Sequence, residues 1–263
     1  MLRISLVQMN CEKAAIDANL ESIRHYLAEA QERSIDIVAF PEMSITGYAD
    51  TDRYPQAMLK LDGPEVTRFL DLTKGNPATV LAGIIEENPL MKPFITQLVA
   101  RDGNLLGAYR KINIKDDEEL WFSPGEETPI FRHRSAIFGL AICADISKET
   151  VFAAGGRQRA KIVFELAAPG LYGEQATRDW QSGFNWWKGE CQKYLGYYAK
   201  KYKYWIAVAT QAGRTSDEDF PGGGYVFAPD GRCLYATTDG SPGALFLELD
   251  LDKATVTEIR LKG

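Results

Sequence analysis

Histidine is almost missing from this chain: His25 and His133 are the two among 263 residues. His25 falls inside an amphipathic helical pattern and His133 inside "FRHRS", a strand edge with arginine on both sides. Both are expected on exposed faces. Ser-His-Asp and Cys-His chemistry, which need an imidazole beside the nucleophile, are therefore disfavoured. Cysteine is also sparse. Residues 11, 143, 191 and 233 show no C-x-x-C spacing, which argues against a disulfide framework or a zinc site and suits a reducing, cytoplasmic setting. No apolar run approaches the roughly 20 residues of a membrane helix. The opening "MLRISLVQMN" is interrupted by Arg3, Ser5, Gln8 and Asn10 before a signal-peptide core could form. Basic charge is outweighed, with 30 Lys and Arg against 36 Asp and Glu, so neither nucleic acid nor an anionic membrane is the expected partner. "PGGGY" lacks the G-x-x-x-x-G-K-[ST] pattern of a phosphate loop and is expected as a flexible turn beside the site.

What is present is the composition of a packed globular domain: 45% hydrophobic and 25% charged residues. No linker-like stretch divides residues 1–263, and a single domain is expected. In "IDANLESIRHYLAEAQERSI", Ile16, Leu20, Ile23, Leu27 and Ala30 recur at helical spacing. A strand precedes this helix, and "DIVAFPE" follows it as a short buried strand, giving the strand, helix, strand order of an α/β protein. "PEVTRFLDLTKG" carries Pro64 at its start and Gly75 at its end, the punctuation of another helix. "PFITQLVARDGNLLGAYRKI" reads as a hairpin turning at Asp102-Gly103, so the sheet must be mixed. "KETVFAAGGRQRA" reads as helical up to its glycines. "YLGYYAKKYKYW" places Tyr194, Tyr197 and Tyr198 at helical spacing and is expected to be a packing or dimer-contact helix.

Three strand ends carry chemistry. "FGLAICADIS" delivers Cys143 where an apolar run turns polar, "IVAFPEMSITGY" places Glu42 directly after a buried strand, and "GAYRKINI" ends in Arg110 and Lys111. Each alone has an ordinary explanation: a core thiol, a helix-start acid, a solvated edge charge. Together they supply a carboxylate base, an ammonium for developing negative charge and a sulfur nucleophile, a set suited to acyl transfer. The remaining cysteines read as small core residues.

In those three motifs the chain resembles the nitrilase superfamily of carbon-nitrogen hydrolases. "FPEMSITGY" is similar to its glutamate motif, "YRKINI" to its lysine motif and "GLAICADIS" to its cysteine motif; the likeness extends to "WFSPG", "GGGYVFAPDG" and "ALFLELDLD". The resemblance implies a four-layer αββα sandwich with two mixed central β-sheets, a site at one end of the sheets and dimers built by pairing sandwiches. It implies Glu42 as general base, Lys111 as oxyanion stabiliser, Cys143 as nucleophile and the Ala144 backbone N–H as a second oxyanion donor, with no metal or organic cofactor. A second family glutamate, seven residues before the glycine of the "PG" motif, falls on Glu118, with Glu119 the neighbouring alternative. Tyr48, closing the glutamate motif, is a further candidate for substrate contact. The expected substrate is a small-molecule amide, with no synthetase domain attached to consume released ammonia. An N-carbamoyl amine hydrolase, a nitrilase and a catalytically silent binding subunit stand as alternatives.

Departures from the family pattern bear on the substrate. The chain reads "CADISKE" after the nucleophile, where relatives carry an aromatic and a later proline, and Gly224 and Ala228 replace a late Ser and Asp. Glu165-Leu166 stands where Asn-Pro is common. Glu165, at the end of the strand "KIVFE", is expected either to contact a polar or cationic substrate group or to pair with Lys111 or Arg178.

Overall fold

The structure is a computed structural model and describes residues 1–260. The opening apolar run is strand β1 (Leu2–Gln8), and helix α1 (Ile16–Glu32) buries Leu20, Ile23, Leu27 and Ala30. Strand β2 (Ile37–Ala39) follows, then a two-residue β3 (Met58–Leu59), and α2 (Pro64–Leu72) begins at its proline. Strand β4 (Thr79–Glu86) precedes the hairpin of β5 (Phe94–Arg101) and β6 (Asn104–Arg110). That hairpin turns on Asp102 and Gly103 at φ +48° and +76°, the left-handed pair that a tight hairpin demands.

After the short α3 (Glu118–Trp121) come β7 (Phe131–His133), β8 (Ala136–Ile142), α4 (Glu149–Arg157), β9 (Ile162–Ala167) and the long α5 (Trp180–Tyr202). The chain closes with β10 (Trp205–Thr210), β11 (Ala212–Arg214), β12 (Asp219–Pro221), β13 (Gly224–Phe227), β14 (Cys233–Ala236), β15 (Gly243–Asp250) and β16 (Thr255–Glu258).

Two large sheets form the centre. One runs β16-β15-β1-β2-β4-β5-β6 with β3 beside β4, the other β14-β13-β10-β9-β8-β7. Both are mixed: β1 pairs parallel to β2 and antiparallel to β15, while β10 pairs parallel to β9 and antiparallel to β13. The architecture is the expected αββα sandwich. Period-two alternation sorts the first sheet's side chains between two cores. Ile37, Ala39 and Leu81 face the second sheet, whereas Val38, Val80 and Ala82 pack under α1 and α2. Strands apolar on both faces are what a sandwich with outer helices requires.

Helix α4 runs through both of its glycines rather than ending before them. A Cβ on Gly155 would sit 3.1 Å from Val163 and one on Gly156 3.0 Å from Tyr202, so the missing side chains let α4 lie close against β9 and α5. In α5, Tyr198 is buried and stacks on Phe152 with ring centroids 4.5 Å apart, while Tyr197 is half exposed. His133 also departs from expectation. It is buried, its ring shared between Thr79 Oγ1 (2.9 Å from Nδ1) and Asp36 Oδ1 (3.4 Å from Nε2). A histidine flanked by arginines looks solvent-facing, but β7 lies at a sheet edge where the inward side chain reaches across to the starts of β2 and β4. "PGGGY" is likewise close-packed: the Gly223 N–H donates to Gln8 Oε1 (2.6 Å), a Cβ on Gly222 would meet the Gly240 backbone at 2.3 Å, and the loop does not line the cavity that holds Cys143.

Candidate active site

Glu42, Lys111 and Cys143 converge beyond the ends of β2, β6 and β8. Glu42 follows β2 through Phe40-Pro41, and the chain then doubles over β4, with Met43 at φ +49°. Ser44 Oγ accepts from the Gly83 N–H (2.9 Å) and the Ile45 N–H donates to the Gly83 carbonyl (2.9 Å). A Cβ on Gly83 would fall 2.2 Å from the Met43 nitrogen. Glycine at that point in β4 is thus what lets the glutamate segment lie across the sheet.

Lys111 leaves β6 with its N–H donating to Ile95 (2.8 Å) and its carbonyl accepting from the Gly125 N–H (2.7 Å), so the "SPG" motif clamps its backbone. The side chain is fully buried. Its Nζ donates to Glu42 Oε1 (2.9 Å) and to Glu118 Oε1 (2.6 Å). The other Glu42 oxygen accepts from the Ala168 N–H (3.0 Å), just past β9, and Tyr48 OH donates to Glu118 Oε1 (2.8 Å). Of the two adjacent acids, Glu118 turns inward and Glu119 is exposed. An ammonium taken out of water with two carboxylates against it keeps its charge because they compensate for lost hydration.

Cys143 sits at φ +44°, a costly conformation for a residue with a Cβ, at the start of a 3₁₀ turn over Cys143–Ser147. One side chain holds that turn. Asp145, fully buried, accepts from Tyr109 OH (2.6 Å), the Asn113 N–H (2.8 Å) and the Ile142 N–H (2.9 Å). Tyr109 and Asn113 stand two residues either side of Lys111, and Ile142 precedes Cys143. A single carboxylate therefore sets the register between the lysine strand and the cysteine turn. Asn113 adds a bond from its side-chain amide to the Ala144 carbonyl.

Charge and burial set the proton positions. Burial pushes the Glu42 carboxyl up to about 7, against the pull of the Lys111 ammonium and with a further push from Glu118. Burial would lower Lys111, but Glu42 and Glu118 override it and hold the ammonium well above the usual lysine range. The Cys143 thiol is raised by burial and by Glu42, with Lys111 opposing. The resting sulfur is thus a thiol, and Glu42 and Lys111 are the charged groups that act on it most.

A cavity of about 500 Å³ opens onto this cluster, with Tyr48, Lys111, Glu118, Cys143, Ala144 and Trp187 among the residues that line it. That size suits a small molecule. Glu165 is not part of this lining. Its side chain is buried behind the cysteine turn, where neither oxygen has a hydrogen-bond partner among the described residues. Nor does it pair with Lys111, whose Nζ is taken by Glu42 and Glu118, or with Arg178, which is bound to Asp219 at 3.1 Å. The expectation fails on depth: Glu165 pairs with Ala141 and Val208 inside the sheet, two residues short of the strand end. Sequence reasoning missed Asp145, Tyr109 and Asn113. The available signal extended to Tyr109 alone, which shares the face of Lys111 by strand alternation at the end of β6.

The model of the carbon-nitrogen hydrolase family matches residues 3–259. The chain belongs to that family. Among curated relatives, the glutamine-dependent NAD(+) synthetase of Thermotoga maritima is 26% identical over 260 residues, 96% of this chain and 42% of the relative. The probable nitrilase of Schizosaccharomyces pombe is 25% identical over 260 residues, 95% of this chain and 89% of the relative. The chain spans less than half the length of that synthetase and of the glutamine-dependent NAD(+) synthetase of Acinetobacter baylyi, 42% and 46%. Among solved structures, the amidase from Nesterenkonia sp. AN1 with acrylamide added at its active-site cysteine superposes with a TM-score of 0.80 at 22% identity, covering 95% of this chain and 93% of that one. No helix among the described residues is long and apolar enough to cross a membrane.

Proposed function

We propose that this member of the family hydrolyses the carbon-nitrogen bond of a small-molecule amide through a thioester on Cys143. The observation that carries the reading is the buried cluster in which one ammonium, Lys111, is held by two carboxylates, Glu42 and Glu118, at the cavity that also holds a strained cysteine. Glu42 takes the thiol proton as sulfur attacks the amide carbon, and Lys111 with the Ala144 N–H holds the oxyanion. The protonated Glu42 then gives its proton to the departing nitrogen, which leaves as ammonia or an amine. Water loses a proton to the same carboxylate and attacks the thioester, and the proton returns to sulfur as the acid departs. Glu118, fixed by Tyr48, keeps Lys111 aimed while Glu42 changes charge. The amidase reading is preferred over a nitrilase because Ala144 stands where nitrilases carry tryptophan, and over a silent subunit because Lys111 is bonded to both Glu42 and Glu118 at the cavity that Cys143 lines. The resemblance also implies a homodimer or higher homo-oligomer, which gel filtration checks.

The test is ammonia release from a panel of amides, N-carbamoyl amines and nitriles, with Cys143→Ala as the control. Turnover of amides that vanishes in a folded Cys143→Ala protein is the expected outcome. Undiminished turnover in that variant would end the proposal.

A further inference from the structure

We propose that the substrate's far end is a cation, held by the aromatic wall and carboxylate that α5 presents to the cavity; this rests on the amidase reading above and assigns its substrate class. Trp186, Trp187, Glu190 and Tyr194 all line the cavity. Glu190 lies four residues after Trp186 and three after Trp187, and Tyr194 four after Glu190, so the adjacent tryptophans flank the line of Glu190 and Tyr194 on one side of α5. Trp187 is locked, its indole N–H donating to Thr210 Oγ1 at 2.9 Å. Trp186 lies 6.0 Å from it, ring to ring, and Tyr172 meets Trp186 edge-on at 6.3 Å, so three rings form a continuous wall from floor to mouth.

Glu190 stands within that wall. Its one ionic partner among the described residues is Lys193, 3.6 Å away with a side chain 61% exposed. So open a pair contributes little and yields readily to a better cation. Aromatic faces attract cations through their quadrupoles, more strongly as water is excluded, and a carboxylate among them adds full charge.

The rest of the lining points the same way. Asp50, Asp116, Asp117, Glu118, Glu190 and Glu218 supply six carboxylates against the three lysines 13, 111 and 115, and no arginine lines the cavity. Lys13 is bound to Asp217 (2.7 Å) and Glu218 (3.1 Å), and Lys111 to the carboxylates of the cluster. A substrate carboxylate would find no bidentate guanidinium and a field of its own sign. A primary amide with an ammonium on a short aliphatic spacer satisfies both ends: amide at Cys143, apolar spacer along the tryptophans, ammonium at Glu190.

The experiment compares three amides of matched length, 5-aminopentanamide, hexanamide and adipamate, by ammonia release. We expect kcat/KM about tenfold or more higher for 5-aminopentanamide than for hexanamide, with adipamate slowest. Glu190→Gln should lower kcat/KM for 5-aminopentanamide toward the hexanamide value, and Trp186→Ala, which also removes wall from the spacer, should lower both. A preference for hexanamide or adipamate, or an equal loss on all three in Glu190→Gln, overturns the proposal. Binding is read separately, as protection of Cys143 from iodoacetamide. Protection by 5-aminopentanamide that is lost in Glu190→Gln, without turnover of any amide, would remove the amidase reading and uphold the cation subsite. Turnover of hexanamide with no protection by 5-aminopentanamide would do the reverse.

Discussion

Glu42 and Glu165 are both fully buried carboxyls on the chemistry-bearing side of the sandwich, yet Glu42 has a donor on each oxygen and Glu165 has none among the described residues. The same burial yields different chemistry. Around Glu42 the neighbouring ammonium and the Ala168 N–H limit the upward push, leaving a group that ionises near neutrality. At Glu165 burial is reinforced by Asp145 and Glu42, with Lys111 the one opposing charge, and the carboxyl is driven well above its usual range. A buried acid becomes a usable base only where fixed donors face its charged form.

The sharpest way to break the comparison is to neutralise the supported carboxyl. Glu42→Gln keeps the volume and removes the proposed base from both halves of the proposed reaction, and kcat should fall by about a thousandfold. The wild type should show the cost of a base with a raised pKa. Below pH 7 a growing fraction of Glu42 is protonated and cannot accept the thiol proton, so kcat/KM should fall about tenfold per pH unit on the acid limb. An acid limb near pH 4.5 would place the base on a better hydrated carboxyl.

Asp145→Asn probes the support itself. An amide in place of a carboxylate turns one acceptor oxygen into a donor facing the donors Tyr109, Asn113 and Ile142. The cysteine turn should then relax from φ +44° and shift sulfur relative to Lys111. We expect kcat to fall about a hundredfold with little change in KM, and alkylation of Cys143 to slow in parallel. Unchanged thiol reactivity would reduce Asp145 to a structural role.

Much of this could be read from the sequence because it rests on local pattern. The helix stripe of α1, the Asp-Gly hairpin and three strand-end motifs each need only a few neighbouring residues. What could not be read is distance across the fold. His133 looks exposed beside two arginines, and only the packing of β7 over the first sheet buries it. Glu165 looks like a strand-end residue, but the register of β9 against β8 and β10 sets it two positions short of the strand end, out of the lining of the cavity. The role of Asp145 needs Lys111 and Cys143 to meet, 32 positions apart in the chain, and no periodicity encodes that.

The last test concerns the unsupported carboxyl and carries the smallest effect. Glu165 has an ordinary pKa of 4.5 when the chain is unfolded and a much higher one when folded. Between those values the folded state holds a proton that the unfolded state has lost. Stability conferred by that proton is complete below pH 4.5 and declines as pH rises toward the folded value. A side chain that does not titrate escapes this decline. Glu165→Met, which also removes two oxygens without partners, should therefore stabilise the protein at pH 7 by about 1 kcal/mol or more, raising Tm by about 2–4 °C per kcal/mol. The gain should shrink toward pH 4.5, and KM should be unaffected because the residue does not line the cavity. Glu165→Gln separates charge from polarity: its gain should be smaller, since an amide still needs partners, but should follow the same pH trend. Thermal unfolding of the three proteins at pH 4.5 and 7 decides the matter. A loss of stability at pH 7 in Glu165→Met would mean that the folded protein supplies this carboxyl with a donor, and the contrast with Glu42 would collapse.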